Sequence, residues 1–114
     1  MDKNKSTFKL KNIGHIYYLN LDDQPERREY MEKQFDYWDI ENYTRISAYD
    51  GREDDLSDII KGRYPEDMTS GEIGCTTSHL KALKEFLKTD EKYAIIMEDD
   101  VDISMARFWS FKWV

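Results

Sequence analysis

Cysteine is almost missing from this chain. Cys75 stands alone, so an internal disulfide and a zinc–thiolate cluster are both excluded, and a reducing compartment is compatible. Long apolar stretches are missing as well. No uninterrupted run approaches the ~18 residues that a membrane span needs. Met1 to Asn12 form a polar, lysine-containing lead-in with no apolar core of a signal peptide. The expectation is a soluble protein without a leader, cytoplasmic or peripheral to a membrane. Positive charge is also in deficit. A net charge of -7 argues against non-specific binding to nucleic acid or anionic lipid, since both require a basic footprint. An acidic protein that takes a phosphorylated ligand needs a metal ion or a few well-placed cations, and Arg27 and Arg28 are candidates for the latter. Repeats, low-complexity tracts and internal linkers are absent too.

What is present is a chain of 114 residues, one domain at most, with 39% hydrophobic and 14% aromatic residues. The apolar residues fall in periodic blocks, which argues against disorder. Ile13 to Leu21 (IGHIYYLNL) reads as a strand, and a central one. Asp22-Asp23-Gln24-Pro25 then punctuates, with an Asp as a suitable N-cap and Pro tolerated in the first helical turn. Met31, Phe35 and Trp38 give the helix that follows one apolar face, and it should fade by Asp39. Tyr43 to Tyr49 reads as a second strand, closed by the turn signal Asp50-Gly51. Residues 52–68 are charged and read as a loop with a short helical piece at most. Thr69 and Glu72 have capping-box spacing, and Ile73, Thr76, Leu80, Leu83 and Leu87 continue as a helical stripe. Tyr93 to Met97 is the third strand. Strands alternating with helices predict an α/β fold with a parallel sheet and right-handed crossovers. The aromatic end, from Phe108 to Val114, is expected to fold back on the sheet or to meet further chain or a partner.

Three constellations carry possible chemistry. Glu98, Asp99, Asp100 and Asp102 follow the third strand directly. Such a run is ordinarily a solvated turn. However, ligands in open α/β sheets bind outside the carboxyl ends of strands, and oxygen-only donors suit Mg²⁺ or Mn²⁺. Continued extension would put Glu98 and Asp100 on one side and Asp99 on the other. A calcium-binding EF-hand loop is a poor fit, because Met105 stands where that loop needs glycine. Second, Asn20 to Arg28 spans a strand-to-helix junction. It reads either as an anion site or as a capped helix with solvated arginines. Third, Gly71 and Gly74 permit close backbone approach at a helix start. Cys75 and His79 lie one turn apart as a thiol and base would, although a helical cysteine is more often a small hydrophobe. Ser78 and His79 point apart and do not form a catalytic pair, and His15 reads as structural.

Taken together, IYYLNLDDQPERREYM, YTRISAYDG, GEIGCTTSHLKAL and YAIIMEDDVDI resemble, in order, the blocks of glycosyltransferase family 25. That group contains bacterial lipooligosaccharide galactosyltransferases and procollagen galactosyltransferases. The resemblance implies a GT-A-like, Rossmann-like domain over residues 13–114, preceded by the lead-in at 1–12. It implies transfer of a hexose, galactose above all, from a UDP-sugar to a glycan or a hydroxylated protein acceptor. By the same resemblance Asn20, Asp22 and Arg27 would line the nucleotide pocket, and Ala48, Tyr49 and Asp50 would face the nucleoside or ribose. Glu98, Asp99 and Asp100 would hold Mn²⁺ or Mg²⁺, with Asp100 the foremost direct ligand. Family members run longer, and their later part supplies much of the acceptor site and an inverting carboxylate base. No residue before Val114 stands out as that base. The chain therefore reads as the nucleotide-sugar-binding half of such an enzyme, truncated, or alternatively as an inactive remnant that binds nucleotide, metal or a partner chain.

Overall fold

The structure, a computed structural model, describes residues 14–54, 56, 59 and 67–104. The lead-in at 1–12, most of 55–66 and the aromatic end at 108–114 lie outside those residues. Three strands and two helices alternate along the chain: β1 (His15–Asn20), α1 (Pro25–Tyr37), β2 (Tyr43–Ser47), α2 (Ser70–Leu87) and β3 (Ala94–Glu98). The sheet is parallel throughout, in the order β2-β1-β3. β1 is central, as its density of β-branched and aromatic residues predicts. Register sets Asn20 beside Ser47 and Leu19 beside Glu98, so all three strands end at one level.

Alternation along β1 sends side chains to both faces, and a helix covers each. Ile16 and Tyr18 pack with Met31, Phe35, Trp38, Ile40, Met97 and Ile103 on the α1 side. Tyr17 and Leu19 pack with Ile46 and Ala82 on the α2 side. α1 begins at Pro25 behind Gln24, whose side chain makes no cap bond, so neither Asp22 nor Asp23 is the N-cap. Proline at the first position needs no partner for its missing N–H. The helix ends at Tyr37, and Asp39 turns the chain with φ 57°.

α2 has the capping box that Thr69 and Glu72 predict. Its packed face is a different one from the leucine stripe. Gly74, Thr77, Ser78 and Ala82 are buried, whereas Leu80, Leu83 and Leu87 are 48%, 42% and 76% exposed. The cause is the loop after β2, which lies directly across the first two turns. A Cβ on Gly51 would sit 1.7 Å from the Ser70 carbonyl oxygen, and one on Gly74 would sit 2.5 Å from Gly51 N. Only a helix face of small residues admits backbone that close. No helix among the described residues is long and apolar enough to cross a membrane.

Candidate functional site

The level strand ends leave a cleft of about 450 Å³ at their carboxyl edge, the edge where open α/β sheets bind ligands. Each element contributes. Arg27 comes from α1, Ala48 to Arg52 from the loop after β2, Thr69 to Gly71 and Cys75 from α2, and Glu98 to Asp100 from the end of β3.

Asn20 holds this edge together. Its Nδ2 donates to Asp99 Oδ2 at 2.8 Å and to the Gln24 carbonyl at 3.0 Å. Its Oδ1 accepts from Arg45 Nε at 2.9 Å, and its carbonyl accepts from Ala48 N at 3.0 Å. One buried side chain thus ties the ends of all three strands to the start of α1. Asn20 is 1% exposed and does not line the cleft. Asp22 is outside the cleft as well. It accepts from Arg45 Nη2 at 2.6 Å and Ser47 Oγ at 2.8 Å, and those bonds hold its carboxyl below the usual carboxylate range. It faces a smaller depression shared with Tyr49, Asp54 and Lys81.

Arg27 does line the cleft, with Nη2 2.9 Å from Asp99 and 3.8 Å from Asp100. Arg28 does not. It pairs with Glu32 one turn along α1, and the Tyr18 hydroxyl donates to the same carboxylate at 3.0 Å. Tyr49 sits beneath Lys81, whose ammonium is 4.9 Å from the ring centre. Asp50 closes a tight turn. Its Oδ1 accepts from Arg52 N at 3.0 Å, and its own N–H donates to Asp54 at 2.7 Å. The Arg52 backbone, and then its guanidinium, keep the Asp50 carboxyl below its ordinary value.

The acidic cluster divides in an instructive way. β3 ends at Glu98, and Asp99-Asp100 form a turn. Asp99 points inward and is already paired with Arg27 and Asn20. Glu98 and Asp100 are exposed, Asp100 with 66% of its side chain accessible. Asp102 closes its own turn by accepting from Ser104 N at 3.0 Å. Beyond it, Gln34 on α1 donates to the Val101 carbonyl at 2.9 Å and accepts from Ile103 N at 2.7 Å, which anchors the outgoing chain. Among the described residues no three His, Cys, Asp or Glu side chains converge as a metal cage. Two accessible carboxylates at a cleft rim do fit a hard divalent ion that takes its remaining ligands from water and phosphate oxygens.

Cys75 and His79 do not form a thiol–base pair. The Cys75 thiol donates to Glu98 Oε1 at 3.3 Å, while His79 Nδ1 is 3.8 Å from the sulfur and 2.9 Å from the Cys75 carbonyl. Burial, and then the Glu98 carboxylate, push the thiol up from its usual range, the opposite of an activated nucleophile. His15 is structural, its ring nitrogens meeting Thr44 on the neighbouring strand and Asn42 just before it. Sequence reasoning overlooked Arg52 and Ser70, and it weighed Ser78 only as a partner of His79. The only signal for them was proximity to turn and cap motifs.

An α/β sheet with a polar cleft at its carboxyl edge, lined by arginine and carboxylate side chains, defines the class of protein. The comparisons narrow the class. A family model described as glycosyltransferase family 25 (LPS biosynthesis protein) matches residues 13–110. Proteins described as glycosyltransferase 25 family members are similar. That of Aedes aegypti is 31% identical over 99 residues, covering 78% of this chain and 16% of its own length. That of Anopheles gambiae is 32% identical over 104 residues, covering 78% and 17%. That of Drosophila melanogaster is 31% identical over 112 residues, covering 89% and 18%. The chain belongs to glycosyltransferase family 25. It spans less than a fifth of the length of these insect relatives, and no solved structure matches it significantly.

Proposed function

We propose that this chain forms the donor-binding part of a GT-A-like glycosyltransferase, which takes a UDP-hexose and delivers the sugar, galactose in the first instance, to a hydroxyl of a glycan or protein acceptor. One observation carries the reading: the ends of three strands and the start of α2 meet at a single cleft that holds Asp50, Arg27, Glu98 and Asp100 together. Asp50 is suited to accept ribose hydroxyls, as a carboxylate kept ionised by its neighbours. The guanidinium groups of Arg27 and Arg52 and the α2 start at Thr69–Gly71 are suited to a diphosphate. Asp100 and Glu98 would hold Mn²⁺ or Mg²⁺, which when bound offsets charge on the departing nucleoside diphosphate. Asp99 would act through Arg27, fixing its guanidinium near the phosphates.

Calorimetric titration of UDP with and without Mn²⁺ tests the proposal. The expected result is binding that strengthens with Mn²⁺, with the gain lost in Asp100→Ala. Absence of UDP binding under both conditions refutes it. Turnover is a separate question, read from UDP-sugar hydrolysis. Binding without hydrolysis would make the chain a nucleotide-binding portion whose acceptor machinery lies elsewhere.

A further inference from the structure

We propose that Ser78, buried on α2 and distant in sequence from the ligand-facing loop, is the residue that positions Tyr49 to Arg52 for nucleotide binding. The inference rests on the nucleotide reading of the cleft and deepens it. Ser78 is 1% exposed. Its hydroxyl donates to the Gly74 carbonyl at 2.7 Å, which leaves the oxygen lone pairs directed at the loop, where Tyr49 N donates to it at 2.8 Å. That bond falls where the chain leaves β2 and begins to line the cleft.

The backbones around this bond are closely packed. Gly74 and Gly51 bring loop and helix backbones into direct contact, a Cβ on Gly74 falling 2.8 Å from the Tyr49 carbonyl oxygen. Loss of the hydroxyl removes the acceptor that Tyr49 N–H has in the fold, and leaving a largely buried N–H without one is costly. Without that bond the loop is free to lift off the helix. Asp50 and Arg52 move with it, because the Asp50 turn is tied internally at Arg52 and Asp54. Cys75, on the same helix, holds Glu98 at the opposite wall. Ser78 thus sets the position of the β2 loop relative to a wall that its own substitution leaves in place.

The test combines binding with backbone exchange on the 114-residue chain. Ser78→Ala should weaken UDP binding roughly tenfold, because an unpaired buried N–H costs enough to shift an equilibrium by that factor. Ser78→Thr, which keeps the hydroxyl, should restore most of the affinity. Ile103→Val, a mild core change on the far face, should leave UDP affinity unaltered. In the unsubstituted chain the Tyr49 amide should exchange slowly without any ligand. Unchanged UDP affinity in folded Ser78→Ala overturns the proposal. So does a Tyr49 amide that exchanges at the rate of an open loop, a result that stands even if the variant does not fold. Failure of the unsubstituted chain to bind UDP removes the nucleotide reading instead, and amide protection then decides alone whether the seat exists.

Discussion

The two faces of the sheet are built on opposite plans. On the α1 side the contacts are large and apolar. Phe35 stacks on the partly buried Tyr43 at 4.4 Å between ring centres and lies 5.5 Å from Tyr18, and Met31 and Ile16 fill the rest; Phe35, Tyr18, Met31 and Ile16 have no solvent access. On the α2 side the buried helix residues are Gly74, Thr77, Ser78 and Ala82. The apolar cluster there, Tyr17, Leu19, Ile46 and Ala82, is smaller than that on the α1 side, and the helix contributes proximity: strand ends, loop and helix start come close enough to share one cleft. Hydrophobic stabilisation scales with apolar area buried, so the α1 face should dominate stability. Binding should depend on the α2 face and on the strand ends.

The largest expected effect lies on the α1 face. Phe35→Ala should cost about 3–5 kcal/mol, the usual loss for truncating a fully buried aromatic residue. Urea denaturation would register it as a lower midpoint. UDP affinity of the remaining folded molecules should be nearly unchanged, and a parallel fall in affinity would break the proposed division of labour. Asn20→Ala comes next. It strips Asp99 and Arg45 of a buried partner at once, at about 1–3 kcal/mol. Here the order reverses, with a smaller loss of stability and a larger loss of UDP affinity, because Asp99 and Arg27 lose their anchor. Measuring both quantities on both variants gives the crossing pattern or denies it.

These effects also mark what the sequence could and could not convey. Strand and helix order was legible because each block carries its own period. So were the parallel sheet that this order implies and the Thr69–Glu72 cap, which is a local motif. The role of Asn20 was not legible. A polar residue at a strand end looks the same whether it faces ligand or bonds Asp99, which lies 79 positions along the chain. The packed face of α2 was hidden for a related reason. Leucines at helical spacing reveal a stripe, but spacing does not say what the stripe meets, and close backbone approach selects the small residues instead. The acidic cluster was visible as a group, whereas the inward turn of Asp99 depends on Arg27, a residue brought near only by the fold.

The smallest expected effect belongs to that leucine stripe, and it sharpens the contrast between the faces. Leu83 and Leu87 are exposed on the side of α2 away from the sheet. Replacing either with Gln removes little buried area and keeps helix propensity nearly level. Stability should therefore stay within about 0.5 kcal/mol, as for ordinary surface positions, and UDP affinity should not move. Thermal melting of Leu83→Gln and Leu87→Gln checks this directly. If either substitution instead lowers the melting temperature as a core truncation would, the outer side of α2 is covered in solution. The spare build of the inner side would then be only half of how α2 is held, with the leucines supplying apolar burial that the glycine and serine seat cannot.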